Sequence, residues 1–145
     1  MRLVKPRALR PGDTIGVIAP SEPITRKDFV RGAKVLEGFG FRVRPGKHIF
    51  SRRCDYITAS DKDRAEEINA LFRDPAVAGI IAAQGGTSAN RLLPLLDYEL
   101  IARHPKVFCG YSDSTVLSLA FLRKAKLVTF HGPNLAHLSA KALNP

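Results

Sequence analysis

Two cysteines, Cys54 and Cys109, are all the thiol chemistry in this 145-residue chain, and their spacing fits neither a metal site nor a redox pair. No apolar run approaches the length of a membrane-spanning helix. The charged opening, Met1-Arg-Leu-Val-Lys-Pro-Arg7, lacks the apolar core of a secretory signal. Internal repeats and low-complexity tracts are absent as well. These absences lead us to expect a protein of a reducing cytoplasm, with no membrane partner, no metal and no cofactor. Acidic side chains are scarce too, 13 against 23 Lys and Arg, for a net charge of +10. The imbalance is local: residues 1–53 carry 13 basic and 4 acidic side chains, and the remainder is nearly neutral. The basic half can attract an anionic substrate. Its charges are scattered, without interleaved aromatics or a nucleic-acid motif, so no nucleic-acid partner is expected.

What is present reads as alternating strands and helices. Thr14 to Ala19 is a short buried strand stopped by Pro20. Thr25 caps a helix to about Phe39, with Phe29, Ala33, Leu36 and Val30 as candidates for its inner face. Phe41 to Arg44 alternates as a more exposed strand, and residues 45–57 form an irregular basic loop. Ser60 or Asp61 begins a second helix carrying Ala65, Ile68, Leu71 and Phe72. Val77 to Ala83, apolar on both faces, is a central parallel strand. Gln84 to Ser88 is a tight turn, and Ala89 to Leu96 is helical but limited by Pro94. A short helix, Tyr98 to Arg103, precedes a fourth strand entered at Lys106. A helix from Thr115 to Leu122 and a fifth strand, Leu127 to Phe130, follow. The tail from His131 ends without a closing element. This order predicts one α/β domain over residues 1–145, a parallel sheet of about five strands with helices on both faces. Right-handed crossovers place Pro20-Ser21, Gly85-Gly86, Ser112-Asp113 and His131-Gly132 along one edge, where ligands bind in such sheets.

The stretch Gly110-Tyr-Ser-Asp113 is the most informative. A strand, a sharp turn and a helix put Ser112 at an apex, the geometry of an activated serine. The alternative is that Ser112 or Asp113 only caps the helix. If Ser112 is a nucleophile, the Asp113 amide is placed to donate to an oxyanion. Gly85-Gly86 can supply a second amide, be an ordinary turn, or cradle a phosphate, although no phosphate-loop spacing occurs. No base completes a triad. His48 and His104 lie in loops, His137 in the tail, and His131 at a strand end where a structural hydrogen bond is the more usual role. Cys109, in the strand, reads as a buried thiol. Asp61, Asp63, Glu66 and Glu67 crowd the start of one helix, where its dipole accounts for them.

The chain resembles the N-terminal half of the LD-carboxypeptidase (muramoyltetrapeptide carboxypeptidase) family of serine peptidases, which includes the microcin C immunity peptidases. The resemblance runs through Leu9 to Ser21, Ser60 to Asn69, Phe72 to Ile81, Gly85-Gly86 and Leu92 to Tyr98. It continues through Pro105-Lys106 and Gly110 to Asp113, and ends at His131 to Pro133. It implies Ser112 as nucleophile, with the backbone amides of Asp113 and Gly86 as oxyanion donors. Gly85, Thr87 and Ser88 then lie against the substrate. It implies a flavodoxin-like or class I glutamine-amidotransferase-like sheet. It also places the family's Glu and His in a C-terminal domain following His-Gly-Pro, so this chain alone is expected to be nearly inactive and His131 not to be the base. Many LD-carboxypeptidases have Arg-Gly-Gly-Tyr-Gly where this chain has Gln84-Gly-Gly-Thr-Ser88, a form closer to the immunity-type branch. The implied substrates are therefore a muropeptide or a peptidyl-nucleotide in which an amide joins an aspartyl residue to a nucleotide analogue. Family members commonly pair as homodimers. A non-enzymatic flavodoxin-like module binding a phosphate or small ligand is the alternative.

Overall fold

A computed structural model describes residues 3–138. Five strands, β1 (Thr14–Ile18), β2 (Arg42–Pro45), β3 (Gly79–Ala82), β4 (Val107–Gly110) and β5 (Phe130–His131), form one sheet in the order β2-β1-β3-β4-β5. Every pairing is parallel. All four residues of β3 are buried, as its uninterrupted apolar run requires. β2 lies at one edge, where Pro45 costs no ladder bond. The chain winds one way from β1 to β2 and the other way from β3 onward. The β1–β3 boundary is therefore the switch point at which crevices open in such sheets.

Helices cover both faces, as predicted. One face, with Ile18, Ile80 and Phe108, carries α2 (Asp61–Arg73), a 3-10 segment (Ala89–Leu95), α3 (Tyr98–Arg103) and α4 (Thr115–Ala120). Phe121 meets Phe72 and Phe108 edge-on there, at centroid distances of 5.4 and 5.0 Å. The other face, with Ile15, Val17, Ile81 and Ala83, packs against α1 (Arg26–Gly38) and a 3-10 turn (Leu135–His137). Side-chain caps start two helices where the sequence puts them: the Asp28 amide donates to Thr25 Oγ1 at 3.0 Å and the Asp63 amide to Ser60 Oγ at 3.1 Å.

Several expectations change. Val30 is 50% exposed, and Gly32 and Ala33 are the residues of α1 that bury, because the Leu135–His137 turn sits against them. That turn also closes the tail: Leu135 is fully buried and the Ala136 amide donates to the Ala83 carbonyl at 3.0 Å. The fifth strand is Phe130–His131, not Leu127 to Phe130, because Val4 captures the earlier residues. Its amide donates to Lys126 O at 2.8 Å and its carbonyl accepts from the Val128 amide at 2.9 Å. Ala89–Leu95 winds as 3-10, consistent with Pro94 lacking the amide an α-helix would use. After Ala120, α4 loosens into a π-turn, Phe121–Ala125, that stops at Lys126 in the left-handed region. Cys109 is half-buried, and burial pushes its thiol pKa up.

At the opposite end of β4, Lys106 is buried and donates to the carbonyls of Asp74 and of Val77, the latter at 2.6 Å. Burial draws its ammonium down to about 8, against an upward pull from Asp74. The unfolded chain then holds the proton more tightly between that value and the ordinary lysine range. The group's contribution to stability therefore rises with pH from about 8 to about 10. Urea denaturation of wild type and Lys106→Met at pH 7.5 and 9.5 should show wild type gaining about 1–2 kcal/mol on the variant. A constant difference between the two would mean that Lys106 does not titrate there.

Candidate functional site

The turns after β1, β3, β4 and β5 meet along one edge of the sheet, and β4 supplies the centre. Strand pairing with β5 ends at Gly110, opposite His131. The buried Asn134 side chain takes over beyond it. Its Oδ1 accepts from the Tyr111 amide at 3.1 Å and its Nδ2 donates to the Tyr111 carbonyl at 3.4 Å. Ser114 Oγ donates to the same carbonyl at 2.9 Å. With Tyr111 held extended on one side and a 3-10 turn, Ser112–Ser114, required on the other, the chain reverses at Ser112 with φ +62°. A serine gains nothing from that conformation, which costs on the order of 1–3 kcal/mol and occurs where the surroundings enforce it. Ser112 is exposed, and its Oγ makes no hydrogen bond among the described residues. A plain helix cap would use that oxygen, and here no amide of the following turn is capped by it.

The Gly85-Gly86 turn packs directly beside this serine. A Cβ on Gly85 would lie 2.9 Å from Ser112 Oγ and 3.1 Å from its Cβ. Gly86 has φ +142°, and a Cβ there would stand 2.5 Å from the Ser21 Cβ. The pair is thus glycine for two reasons, space for Ser112 and a backbone angle that other residues avoid. Among the described residues, neither the Gly86 amide nor the Asp113 amide has an acceptor outside its own turn.

The Asp113 carboxylate does more than sequence suggests. Its Oδ2 accepts from the Ala89 amide at 2.8 Å and from the Ser21 hydroxyl. Ser21 Oγ in turn accepts from the Ser88 amide at 3.2 Å. Beneath them lies Arg64, 1% exposed, donating through Nη1 to the Pro20 carbonyl and to Ser88 Oγ at 2.8 Å. Its Nη2 reaches Asp61 at 2.6 Å. Ser88 therefore faces inward, occupied by protein, whereas Thr87 is exposed. Glu22 lies alongside, its amide donating to Gly85 O at 3.3 Å and its carboxylate accepting from Gln84 Nε2 at 3.1 Å.

His131 and His137 are exposed and set their rings against Tyr111, at centroid distances of 6.2 and 5.4 Å. Neither imidazole bonds to Ser112. Sequence reasoning missed Arg64, Asn134 and the side-chain role of Asp113. Only Arg64 left a signal, since it stands at the position of the apolar stripe one turn before Ile68 on α2. No cluster of metal-ligating side chains occurs among the described residues.

Comparison with known proteins follows the same residues. A family model described as the LD-carboxypeptidase N-terminal domain matches residues 15–132. A Bacillus subtilis protein described as "Probable murein peptide carboxypeptidase" is 40% identical over 132 residues, covering 91% of this chain and 41% of the relative. The microcin C7 self-immunity protein MccF of Escherichia coli is 39% identical over 127 residues, covering 86% and 37%. A structure of that protein in complex with aspartyl sulfamoyl adenosine superposes with a TM-score of 0.84 at 38% identity, covering 94% of this chain and 41% of that one. The crystal structure of an MccF-like protein from Bacillus anthracis gives a TM-score of 0.87 at 37% identity, covering 92% and 41%. The chain spans about two-fifths of the length of the relatives it matches.

Proposed function

The chain belongs to the LD-carboxypeptidase family, and on that premise we propose that it carries the nucleophile of a serine peptidase that hydrolyses an amide through an acyl-enzyme on Ser112. The observation that carries this reading is the elbow: an exposed serine held at φ +62°, its hydroxyl unbonded among the described residues, beside the Gly85-Gly86 turn. Oγ attacks the scissile carbonyl carbon, and its proton passes by way of a base to the departing amine. The Asp113 and Gly86 amides receive the charge that builds on the carbonyl oxygen. Water then attacks the ester carbonyl and frees Ser112.

The base and the carboxylate that orients it are assigned to polypeptide outside the described residues. No imidazole here reaches Ser112, and the relatives are more than twice as long as the stretch they share with this chain. Thr87 and Gly85 border the substrate. Its class is a short peptide-like amide, either a muropeptide or a peptidyl-nucleotide, and the basic residues of the first 53 favour a substrate carrying negative charge. The reaction belongs to the cytoplasm.

A fluorophosphonate tests the reading, with the modified residue located by peptide mass spectrometry. Ser112 should label slowly but selectively, and Ser112→Ala should not label at that site. Without a resident base, the rate should climb by about tenfold per pH unit from 6 to 9, because only free hydroxide removes the proton. A plateau above pH 7 would place an imidazole base within this chain. Labelling spread over other serines, with Ser112 untouched, would sink the nucleophile.

A further inference from the structure

We propose that Ser21 and the side chain of Asp113 are positioning residues that set the separation of the two oxyanion donors; this rests on the reading of Ser112 given above. The donors belong to different turns. The Asp113 amide sits in the elbow after β4, and the Gly86 amide in the turn after β3, and no ladder bond joins the two turns. An oxyanion pocket works only when its donors are held to fractions of an ångström, so something must fix one turn against the other.

The Asp113 carboxylate supplies that link. Oδ2 crosses from the elbow to the Ala89 amide at 2.8 Å, three residues beyond Gly86. The same oxygen accepts the Ser21 hydroxyl, and Ser21 accepts the Ser88 amide at 3.2 Å, two residues beyond Gly86. Ser21, Ser88 and Ala89 are 0%, 4% and 0% exposed and Asp113 is partly buried, so water competes for these bonds only from the Asp113 side. Bonds from buried donors to a carboxylate are stronger than neutral ones. On the far side of Gly86, the Glu22 amide holds Gly85 O at 3.3 Å. The Gly86 amide is thus fixed from both flanks, by Glu22 before it and by Ser21 and Asp113 after it. Asp113 serves twice, its amide facing the oxyanion and its carboxylate placing the other donor.

Two measurements test the clamp on the full chain. Asp113→Ala and Ser21→Ala should each slow fluorophosphonate labelling of Ser112, by roughly 10²-fold for Asp113→Ala, the loss seen when one oxyanion donor is removed. Asp113→Asn, whose amide oxygen can still accept from both Ser21 and Ala89, should recover most of the rate. That rescue separates positioning from a general loss of fold, which circular dichroism monitors in parallel. Amide hydrogen exchange supplies the second measurement and is independent of Ser112 reactivity: the Ala89 amide should exchange faster in Asp113→Ala and Ser21→Ala. Wild-type exchange at Ala89 in both alanine variants overturns the clamp whether or not Ser112 labels. So does wild-type labelling in both, or an Asp113→Asn as slow as Asp113→Ala. A wild-type chain that never labels, yet shows the exchange pattern, keeps the clamp and removes the nucleophile instead.

Discussion

Gly85→Ala should silence Ser112 and leave the fold standing, whereas Gly86→Ala should damage the fold itself. The two glycines are adjacent, yet they are glycine for different reasons. At Gly85 the added methyl would meet the side chain of an exposed residue, 2.9 Å from Ser112 Oγ and 3.1 Å from its Cβ. The hydroxyl can turn away from such a methyl and the Ser112 Cβ need give by only a few tenths of an ångström, so the cost in stability is about 1–2 kcal/mol, toward the low end for overpacking. The turn displaces the one oxygen whose position matters, and a misplacement of that size slows reaction by about 10²-fold. At Gly86 the methyl would press on the Ser21 Cβ at 2.5 Å and the Glu22 amide at 3.2 Å, at φ +142°. The Glu22 Cγ, at 3.0 Å, can swing aside, but the Ser21 Cβ and the Glu22 backbone cannot. Strain and overpacking together come to about 2–4 kcal/mol, which lowers the melting temperature by about 10 °C in a chain of this length. Thermal melts and fluorophosphonate labelling of the two variants separate these outcomes. Equal melting temperatures for both would refute the distinction, and undiminished labelling of Gly85→Ala would show that Ser112 reacts from a different rotamer.

The sheet was legible because its signals are local. The apolar run Val77 to Ala83 contains the buried strand Gly79–Ala82, and Thr25 and Ser60 cap the helices that follow them. The convergence of turns followed from connection handedness alone. The elbow was legible as an apex but not as a strained one, because φ +62° at Ser112 is imposed by Asn134, a residue 22 positions away. The limits of the fifth strand were hidden for the same reason: Val4, at the other end of the chain, decides which residues β4 receives. Asp113 read as a backbone oxyanion donor, its side chain only as an alternative helix cap, and nothing near it in sequence points to Ser21 or Ala89, which the carboxylate holds. Polar side chains that bridge distant turns leave no periodicity behind. Arg64 is the exception, since an arginine in line with Ile68 and Leu71 breaks an apolar stripe and asks for buried partners.

Those partners make Arg64→Met the second large effect. The guanidinium is 1% exposed and satisfies the Pro20 carbonyl, Ser88 Oγ and Asp61 at once. Methionine fills much of the volume and relieves the desolvation of a buried charge whose Nε has no partner. Against that relief stand two buried acceptors left empty, each worth about 1–3 kcal/mol. Asp61 suffers less, since it is partly exposed and keeps Arg91 at 2.8 Å. The balance is a net loss of about 2–4 kcal/mol, a fall in melting temperature of about 10 °C. Arg64→Lys, which retains the charge but not the fork, should fall between. Because Arg64 grips the Pro20-Ser21 turn and the Gly85 to Ser88 turn together, labelling of Ser112 should decline in Arg64→Met even well below its melting temperature. A variant that melts with wild type would show that the desolvation of the charge cancels everything its bonds contribute. One that melts early but labels normally would show that the elbow stands without support from beneath.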